Sequence, residues 1–215
     1  SHRRYRKHSG ILIDSKVLLD VGERDYLRYR PQIILITHLH PDHAFFVAKK
    51  ENTDLHSQVY APEASIKVPQ IKNLVKPLLI DEYKIIPVPV VHSLKVRSQG
   101  YILEKENIRI FYSGDIVEVR QKHLQGLGHF DAVITEASFI RKGGIVRKNA
   151  RGEKFGHAGI PELIQLFRKH TQRIILTHFG TWFIKDPVAG RKKLKCLEQQ
   201  DLKIEIPADG FEYSI

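Results

Sequence analysis

The chain has 215 residues and a mass of 24.9 kDa, which is long enough to bury a full hydrophobic core. No apolar run approaches the ~18 residues of a membrane span, so we expect no membrane partner. The net charge of +11 favours anionic partners such as phosphates, nucleic acid or acidic metabolites, although a basic surface coat would give the same charge. The single cysteine, Cys196, excludes an internal disulfide and disfavours a thiolate zinc site.

Neither a repeat nor a linker divides the chain, so we predict one domain over residues 1–215. The basic N-terminus is not followed by an apolar segment of signal-peptide length, because Ile11–Ile13 is short and Asp14 interrupts it. We therefore expect a cytoplasmic protein.

Strands and helices are predicted in alternation along the chain. The elements of the first third are a hairpin of Ile11–Ile13 and Val17–Leu19, a short helix at 23–30, a buried strand at 32–36, a helix capped by Asp42 that continues through Ala48, a polar loop at 50–57 and a strand at 58–60. Residues 62–76 are ambiguous, and a helix broken at Pro69 is one interpretation.

The remaining predicted elements follow from the same patterns. They are strands at 78–80 and 83–91, a hairpin of 99–104 and 108–112, a strand at 132–135, a glycine-rich basic loop at 141–156, a helix at 161–170, a strand at 173–177, a basic helix at 186–200 and a strand at 203–206. Pro87 and Pro89 predict an edge position for their strand, because proline has no amide hydrogen to donate. The whole pattern predicts an α/β fold with mixed strand pairing.

The most informative segment is Thr37-His38-Leu39-His40-Pro41-Asp42-His43. Histidine and carboxylate are the usual nitrogen and oxygen ligands of divalent metals in proteins. His38 and His40 are two residues apart and should point the same way, whereas Asp42 and His43 should point elsewhere, which suits two ions. A histidine-rich loop of no consequence is the alternative, but the apolar strand before it argues against that.

Four further strands each end in a side chain of metal-ligand type. Asp20, His92, Asp115 and His178 come directly after apolar runs that end at Leu19, Val91, Gly114 and Thr177. Taken singly, such a residue is more often a strand-end cap or a buried polar group with its own hydrogen bond. Five such junctions, counting His38, predict that strands of shared direction gather these groups at one rim of the sheets.

This ordered set resembles the metallo-β-lactamase superfamily, and its motifs span nearly the whole chain. The resemblance implies a four-layer αβ/βα sandwich with two facing mixed β-sheets. It also implies the following assignment: His38, His40 and His92 hold a first metal, Asp42, His43 and His178 hold a second, and Asp115 bridges the two. Asp20 would orient the histidine-rich loop without binding a metal.

The same resemblance implies a metal-dependent hydrolase. Two ions about 3.5–4 Å apart can share a hydroxide, make it a nucleophile near neutral pH and polarise the substrate. Asp42 would help to orient that hydroxide. Histidine and carboxylate ligands suit two Zn²⁺ ions, and Mn²⁺ or iron also fit.

His157 bears on which branch of the family the chain resembles. It lies in Phe155-Gly156-His157-Ala158-Gly159, and phosphodiester-cleaving members that resemble RNase Z carry a histidine at this place. The resemblance implies that it contacts the phosphate and protonates the leaving oxygen, a task suited to imidazole near neutral pH. The alternative is a residue that only begins the next helix.

A basic stretch leads into His157. Residues 141–154 contain six Lys or Arg residues against one acid, Glu153, and their glycines predict a mobile loop. We expect this stretch to clamp substrate phosphate, and the candidate residues are Arg147, Lys148, Arg151 and Lys154. A solvated surface loop is the alternative.

One feature departs from RNase Z of the usual bacterial type. Only a hairpin lies between His92 and Asp115, where those proteins insert a long tRNA-gripping arm, and this puts tRNA 3′-end processing in doubt. We predict a phosphodiesterase or nuclease whose partner is a phosphate-containing substrate, with RNA and DNA among the candidates. Hydrolysis of a lactone, thioester or β-lactam is the alternative, and a non-catalytic metal-binding or sensing protein is a third. A homodimer is left open.

Overall fold

A computed structural model describes residues 5–48, 55–66 and 68–215, so most of the loop predicted at 50–57 lies outside the described residues. The strands are β1 (Ile11–Ile13), β2 (Val17–Leu19), β3 (Ile33–Leu35), β4 (Gln58–Ala61), β5 (Lys72–Asn73), β6 (Leu78–Ile80), β7 (Tyr83–Val91), β8 (Gln99–Lys105), β9 (Ile108–Tyr112), β10 (Glu118–Val119), β11 (Ala132–Ala137), β12 (Ile145–Lys148), β13 (Lys154–His157), β14 (Arg173–Phe179) and β15 (Lys203–Glu205). The α-helices are α1 (Gln121–Leu124), α2 (Ile160–Phe167), α3 (Thr181–Ile184) and α4 (Pro187–Lys195). Among these described helices, none has the length and apolar character needed to cross a bilayer.

The strands form two mixed sheets and a separate hairpin. The first sheet has the order β1-β2-β3-β4-β5, and the second has the order β10-β7-β8-β9-β11-β14-β15, with β6 beside β7. Strands β2 to β5 run parallel, as do β9, β11, β14 and β15. Strands β12 and β13 pair only with each other among the described strands.

Each sheet buries both of its faces along its central strands, and β2, β3 and β11 are buried at every position. In β2, Val17 and Leu19 pack between the two sheets, whereas Leu18 packs on the outer side. In β9, Ile110 and Tyr112 likewise face the first sheet, and Phe111 faces α2 and its neighbours. This alternation follows from the two-residue period of a strand. It places one core between the sheets and one on each outer face.

The predicted four-layer α/β sandwich is therefore confirmed, but its two outer layers differ. Helices α2, α3 and α4 cover the second sheet through Leu163, Phe167, Phe183 and Leu194. The first sheet is covered instead by 3₁₀ helices at Arg24–Tyr29 and Phe45–Ala48 with their loops. The helix predicted at 23–30 is thus present as a 3₁₀ helix.

The predicted helix from Asp42 to Ala48 is wrong in its first half. The amides of His43 and Ala44 donate to the His40 carbonyl, which makes a turn, and the Phe45 amide donates to Val21 of a neighbouring segment. Only Phe45–Ala48 is helical, and the Asp42 carboxylate hydrogen-bonds to His178. The Phe45 amide and the Asp42 carboxylate, which would have served the first turn of a helix, are therefore engaged by residues distant in sequence.

Two further expectations need correction. The helix considered for 62–76 is wrong, because the described residues there form turns and the short β5. The stretch 141–156, predicted as a mobile loop, folds as the β12–β13 hairpin. Its turn is closed by Asn149, whose side-chain oxygen accepts from the amides of Arg151 and Glu153.

The edge position predicted from Pro87 and Pro89 holds only for part of β7. Strand β7 lies inside the second sheet, but β6 pairs with its first residues and β10 with its last. The Val90 amide donates to the carbonyl of Ser98, directly before β8, so alternate residues of β7 direct their amides toward β8. The nitrogens of Pro87 and Pro89 point away from β8, where the described residues place no second partner strand beside this part of β7. The missing amide hydrogens therefore leave no ladder hydrogen bond unmade.

Candidate metal centre

The metal-ligand side chains meet because the strands before them end at one rim. Strands β2 and β3 are parallel in the first sheet, and β9 and β14 share a direction in the second. Strand β7 runs the same way as β9, because both are antiparallel to β8. The residues that come to this rim are Asp20, His38, His92, Asp115 and His178.

Two of these residues depart from regular strand geometry. Asp20 has a φ of 57° and His178 a φ of 51°, in the left-handed region. His178 lies inside β14 at the point where its register with β11 shifts, after Glu136. Such a conformation costs a non-glycine residue about 1–2 kcal/mol, and the fold holds both side chains toward the rim nonetheless.

A first group consists of His38, His40 and His92, whose ligand atoms lie within 4.8 Å of one another. His92 Nδ1 lies 2.9 Å from the Gly156 carbonyl, which fixes the ring and turns Nε2 toward His40. His38 Nδ1 lies 3.1 Å from Thr37 Oγ1. In this group His38 and His92 are buried, and three imidazoles with one ring nitrogen each directed inward match the donor set of a zinc-type ion.

A second group consists of Asp42, His43, Asp115 and His178, again within 4.8 Å. Asp115 joins the two groups, because its two carboxylate oxygens face opposite ways. Oδ1 lies 3.3 Å from His43 Nε2 and 3.6 Å from His178 Nδ1. Oδ2 lies 3.8 Å from His92 Nε2 and 4.0 Å from His38 Nε2. This is the placement that a bridging carboxylate needs.

The unpaired atoms of the site test whether cations fit it. Within the described residues, His38 Nε2, His43 Nε2 and Asp115 Oδ1 are buried and have no hydrogen-bond partner. An unsatisfied buried polar atom costs about 1–3 kcal/mol, so three in one cluster are expensive without a ligand. Divalent cations would satisfy all three, and the fold and the His/Asp cluster together indicate a dinuclear metal site.

Asp20 lies behind the centre and is fully buried. Its carboxylate accepts from the Thr37 amide at 2.7 Å and from the Tyr112 hydroxyl at 2.7 Å, and its Oδ2 lies 2.7 Å from His43 Nδ1. Asp20 therefore holds a proton on His43 Nδ1, so Nε2 is the nitrogen whose lone pair can bind a metal once the ring is neutral. Asp20 thus contacts the histidine-rich loop and His43, and its role in orienting that loop stays a prediction.

The two groups differ in protonation. Burial lowers the pKa of His92 to about 4, and burial also lowers the pKa values of His38 and His40, so the first group is neutral at pH 7. Burial opposes charge on His178 as well, but Asp115 and the hydrogen bond with Asp42 outweigh it and raise its pKa to about 9. The pKa of His43 is raised by Asp115 and Asp20 in the same way.

His157 lies beside the centre, with Nδ1 3.8 Å from Asp115 Oδ2. The same nitrogen lies 2.8 Å from Glu136 Oε2. Burial alone would lower the pKa of His157, but the hydrogen bond and charge of Glu136 outweigh it and raise the pKa. Nε2 makes no hydrogen bond to any described residue, so a protonated His157 can donate from that atom. His157 also forms a cluster with His92 and Asp115 that could accept an ion.

Gly156 connects His157 to the first group. Its amide donates to the His92 carbonyl at 2.7 Å, and its carbonyl accepts from the His92 ring. Its φ is 112°, and a Cβ atom there would lie 2.0 Å from the Ile145 carbonyl oxygen. Only glycine fits this close approach, and the approach sets the positions of both histidines.

The β12–β13 hairpin separates the predicted phosphate-binding residues. Arg147 is paired with Phe155, and Ile145 with His157, so these four residues share one face. Lys148 and Lys154 lie on the opposite face, and Lys154 forms an ion pair with Glu118. Arg151 lies in the turn. Their phosphate contacts stay predictions, and Arg147 has the placement that favours one.

Sequence reasoning missed Glu136, Ser138 and the role of Gly156. Glu136 is buried and also accepts from the Ile116 amide at 2.6 Å. Ser138 Oγ lies 3.1 Å from His178 Nδ1. The available signal was a carboxylate inside the apolar run Ala132–Ala137, since a buried acid needs a partner.

Two facing mixed sheets with a histidine- and aspartate-lined rim define a class of metal-binding α/β sandwich proteins. The family model described as "Beta-lactamase superfamily domain" matches residues 24–179, well over half of the chain. The chain therefore belongs to the metallo-β-lactamase superfamily, whose members are mostly metal-dependent hydrolases. No curated protein sequence matches it.

Several solved structures share the fold. The metallo-β-lactamase fold protein YhfI from Bacillus subtilis is 16% identical, with 95% of this chain and 90% of that chain covered and a TM-score of 0.66. A diphosphatase of the PhnP family is 17% identical, with 97% and 83% covered and a TM-score of 0.64. The short form of human tRNase Z is 19% identical, with 98% and 93% covered and a TM-score of 0.61. At these identities the likeness shows the fold alone.

The fold does not select one chemistry. A β-hydroxylase, CmlA in an E377D form, also matches with a TM-score of 0.61 at 12% identity, with 94% of this chain and 51% of that chain covered. The reaction must therefore be argued from the side chains of this chain.

Proposed function

We propose that the protein is a metal-dependent phosphodiesterase that acts on a phosphate-containing substrate. The observation that carries the proposal is the Glu136–His157 pair next to Asp115. Cleavage of a phosphodiester with an alkoxide leaving group needs a proton donor, and this pair supplies one at the edge of the metal centre. A PhnP-family diphosphatase and a human tRNase Z share the fold, which agrees with this reaction.

We propose Zn²⁺ in both positions, because imidazoles dominate both groups and carboxylates complete the second. His38, His40 and His92 would hold the first ion, Asp42, His43 and His178 the second, and Asp115 would bridge. When bound, such ions would supply an activated water and neutralise charge on the phosphate oxygens. Mn²⁺ and iron remain open for this donor set.

The residues of the chain then divide the work. His157, held at Nδ1 by Glu136, donates its Nε2 proton to the leaving oxygen, and the Glu136 charge stabilises the imidazolium before transfer. Asp42, whose Oδ2 lies 3.1 Å from His178 Nε2, is partly exposed and would orient the attacking water with its other oxygen. Arg147, on the His157 face of the hairpin, would bind an oxygen of a substrate phosphate that flanks the scissile one.

The leaving group provides the sharpest test. His157→Ala should lower kcat/KM roughly 10²–10⁴-fold for a phosphodiester with an alkyl or nucleoside leaving group. It should have little effect with bis-p-nitrophenyl phosphate, because p-nitrophenolate leaves without protonation. This second substrate also controls for folding and metal loading. An equal loss on both substrates would argue for His157 as a metal ligand, the option that its cluster with His92 and Asp115 allows.

Substrate class requires a separate comparison. The wild-type protein should cleave bis-p-nitrophenyl phosphate faster than a chromogenic carboxylic ester, and the reverse order would favour a lactone, thioester or β-lactam substrate.

If nucleic acid is the substrate, its affinity should fall steeply with salt. A flat response would favour a small phosphodiester. Localisation in the cytoplasm and assembly as a homodimer stay predictions.

A further inference from the structure

We propose that Phe139, Arg141 and Arg147 form a subsite for the nucleoside on the leaving-group side of the scissile phosphodiester. The inference rests on the proposed phosphodiesterase function and adds the class of substrate. It predicts a nucleic acid strand in place of a phosphodiester with a small alkyl group.

Phe139 places an aromatic ring next to the proposed proton donor. Its ring centroid lies 5.8 Å from that of His157, and its carbonyl accepts from the Ile160 amide at 2.9 Å. The ring is partly exposed. Because His157 contacts Asp115 as well, Phe139 lies one side chain away from the metal centre. A leaving group that takes its proton from His157 would emerge beside this ring.

Arg141 extends the aromatic surface. Its guanidinium carbon lies 5.9 Å from the centroid of the Phe139 ring, and its Nε donates to the Gly144 carbonyl at 3.0 Å. Within the described residues its other guanidinium nitrogens make no hydrogen bond. A guanidinium fixed beside an aromatic ring offers a flat surface for a nucleobase and free donors for its edge or phosphate.

Arg147 lies on the same face of the hairpin as His157. Ile145 pairs with His157, and Arg147 pairs with Phe155. These are successive cross-strand pairs on one face, so Arg147 lies two residues along β12 from the residue opposite His157. Two residues along a strand span about 7 Å. In the part of the chain that the structure describes, no carboxylate pairs with Arg147, so its charge is available for a flanking phosphate.

These three side chains match the parts of one nucleotide. A base presents a flat face to Phe139 and Arg141, and the next phosphate presents an anion to Arg147. A small alkyl leaving group would engage neither the aromatic ring nor the second cation. The net charge of +11 supports a polyanionic strand.

Two matched dinucleotides test the base contact. Both carry the same phosphodiester. On one side of it, one dinucleotide bears an adenine nucleoside and the other bears an abasic sugar. A second pair places this difference on the other side of the phosphodiester. We expect the wild-type protein to prefer the base in one orientation by roughly 5- to 150-fold in kcat/KM, equivalent to about 1–3 kcal/mol at 1.4 kcal/mol per tenfold. Phe139→Leu should bring this ratio close to one, and Phe139→Trp should retain it.

The matched control is Phe211→Leu, the same exchange at an exposed ring that packs against Tyr213. It should keep the wild-type ratio. A wild-type ratio of one in both orientations, or a Phe139→Leu variant that keeps the preference, would overturn the proposal while phosphodiesterase activity stands.

Binding separates failure of the subsite from failure of the function. If neither a dinucleotide nor bis-p-nitrophenyl phosphate is cleaved, the phosphodiesterase function fails. The subsite is then tested with a dinucleotide that carries 2-aminopurine, whose fluorescence falls on stacking. Saturable quenching by the wild-type protein that is lost in Phe139→Leu would support the subsite, and its absence in the wild-type protein would reject it.

A matched pair of arginine variants tests the phosphate contact. Arg147→Gln should weaken binding of a trinucleotide more than that of a dinucleotide and lower the salt slope by about one. Arg168→Gln makes the same exchange at an exposed position just after α2 and should leave the trinucleotide advantage in place. An equal effect of both variants would mean that Arg147 acts only through the overall charge of the protein, and this would overturn its place in the subsite.

Discussion

Glu136→Gln isolates the carboxylate that holds His157. The Gln side chain keeps the size of Glu136 and can still accept from the Ile116 amide, which donates at 2.6 Å. The negative charge 2.8 Å from His157 Nδ1 is lost. A hydrogen bond to a charged group contributes about 1.5–3 kcal/mol, which corresponds to roughly 10- to 150-fold.

The sign of the pH effect follows from the raised pKa of His157. Glu136 stabilises the protonated ring, and the proposed acid acts only while it is protonated. Without that charge the pKa of His157 falls, so the high-pH limb of kcat/KM should move to lower pH. Above the new limb the loss should approach the 10- to 150-fold range for a nucleoside leaving group.

The assay is a pH–rate profile of kcat/KM with a dinucleotide, run in parallel with bis-p-nitrophenyl phosphate. Only the dinucleotide profile should shift, because p-nitrophenolate needs no proton. The melting temperature and metal content of the variant show whether the buried site has kept its structure. An unchanged high-pH limb in a folded, metal-loaded variant would refute the acid role of the pair.

Three other predictions concern the metal centre and its supports. The metal affinity of the second group should fall as the pH drops below about 9, because His178 and His43 must lose protons before they bind a metal. The metal affinity of the first group should hold until the pH approaches about 4, the pKa of His92. Chelator competition across a range of pH measures both affinities. Asp20→Asn should weaken the second site roughly 10–100-fold and leave the first largely intact, which metal titration of the variant would contradict if both sites weakened equally. Gly156→Ala should lower the free energy of unfolding by more than about 1 kcal/mol and weaken the first site, because its Cβ would lie 2.0 Å from the Ile145 carbonyl oxygen; an unchanged melting temperature would count against this role.

The convergence of the ligand-type residues could be predicted from the sequence, because each of them follows an apolar strand. Five junctions of that kind indicated a shared rim, and the rim brings the two groups together as expected. The helix at Asp42 could not be predicted correctly, because the Asp42 side chain is engaged by His178, 136 residues away along the chain. Local propensity carries no information about such a partner.

The basic stretch at 141–156 shows the same limit in another form. Its glycines and cations predicted a mobile loop, yet Gly144 and Gly156 allow the backbone to approach His157 and Ile145 closely, and the stretch closes as a hairpin. The pairing register then divides the cations into two faces. A one-residue shift of that register would have put Lys148 beside His157 in place of Arg147.

The sequence by itself determined the α/β content and the identity of the candidate ligands, because strand periodicity and ligand chemistry are local properties of the chain; the layered arrangement was only implied by the family resemblance. Tertiary structure alone decided that Glu136 pairs with His157, that each oxygen of Asp115 faces a different group, and that the Phe139 ring lies next to that of His157. These relations join residues on different strands, and only the packing of the two sheets sets the distances between them.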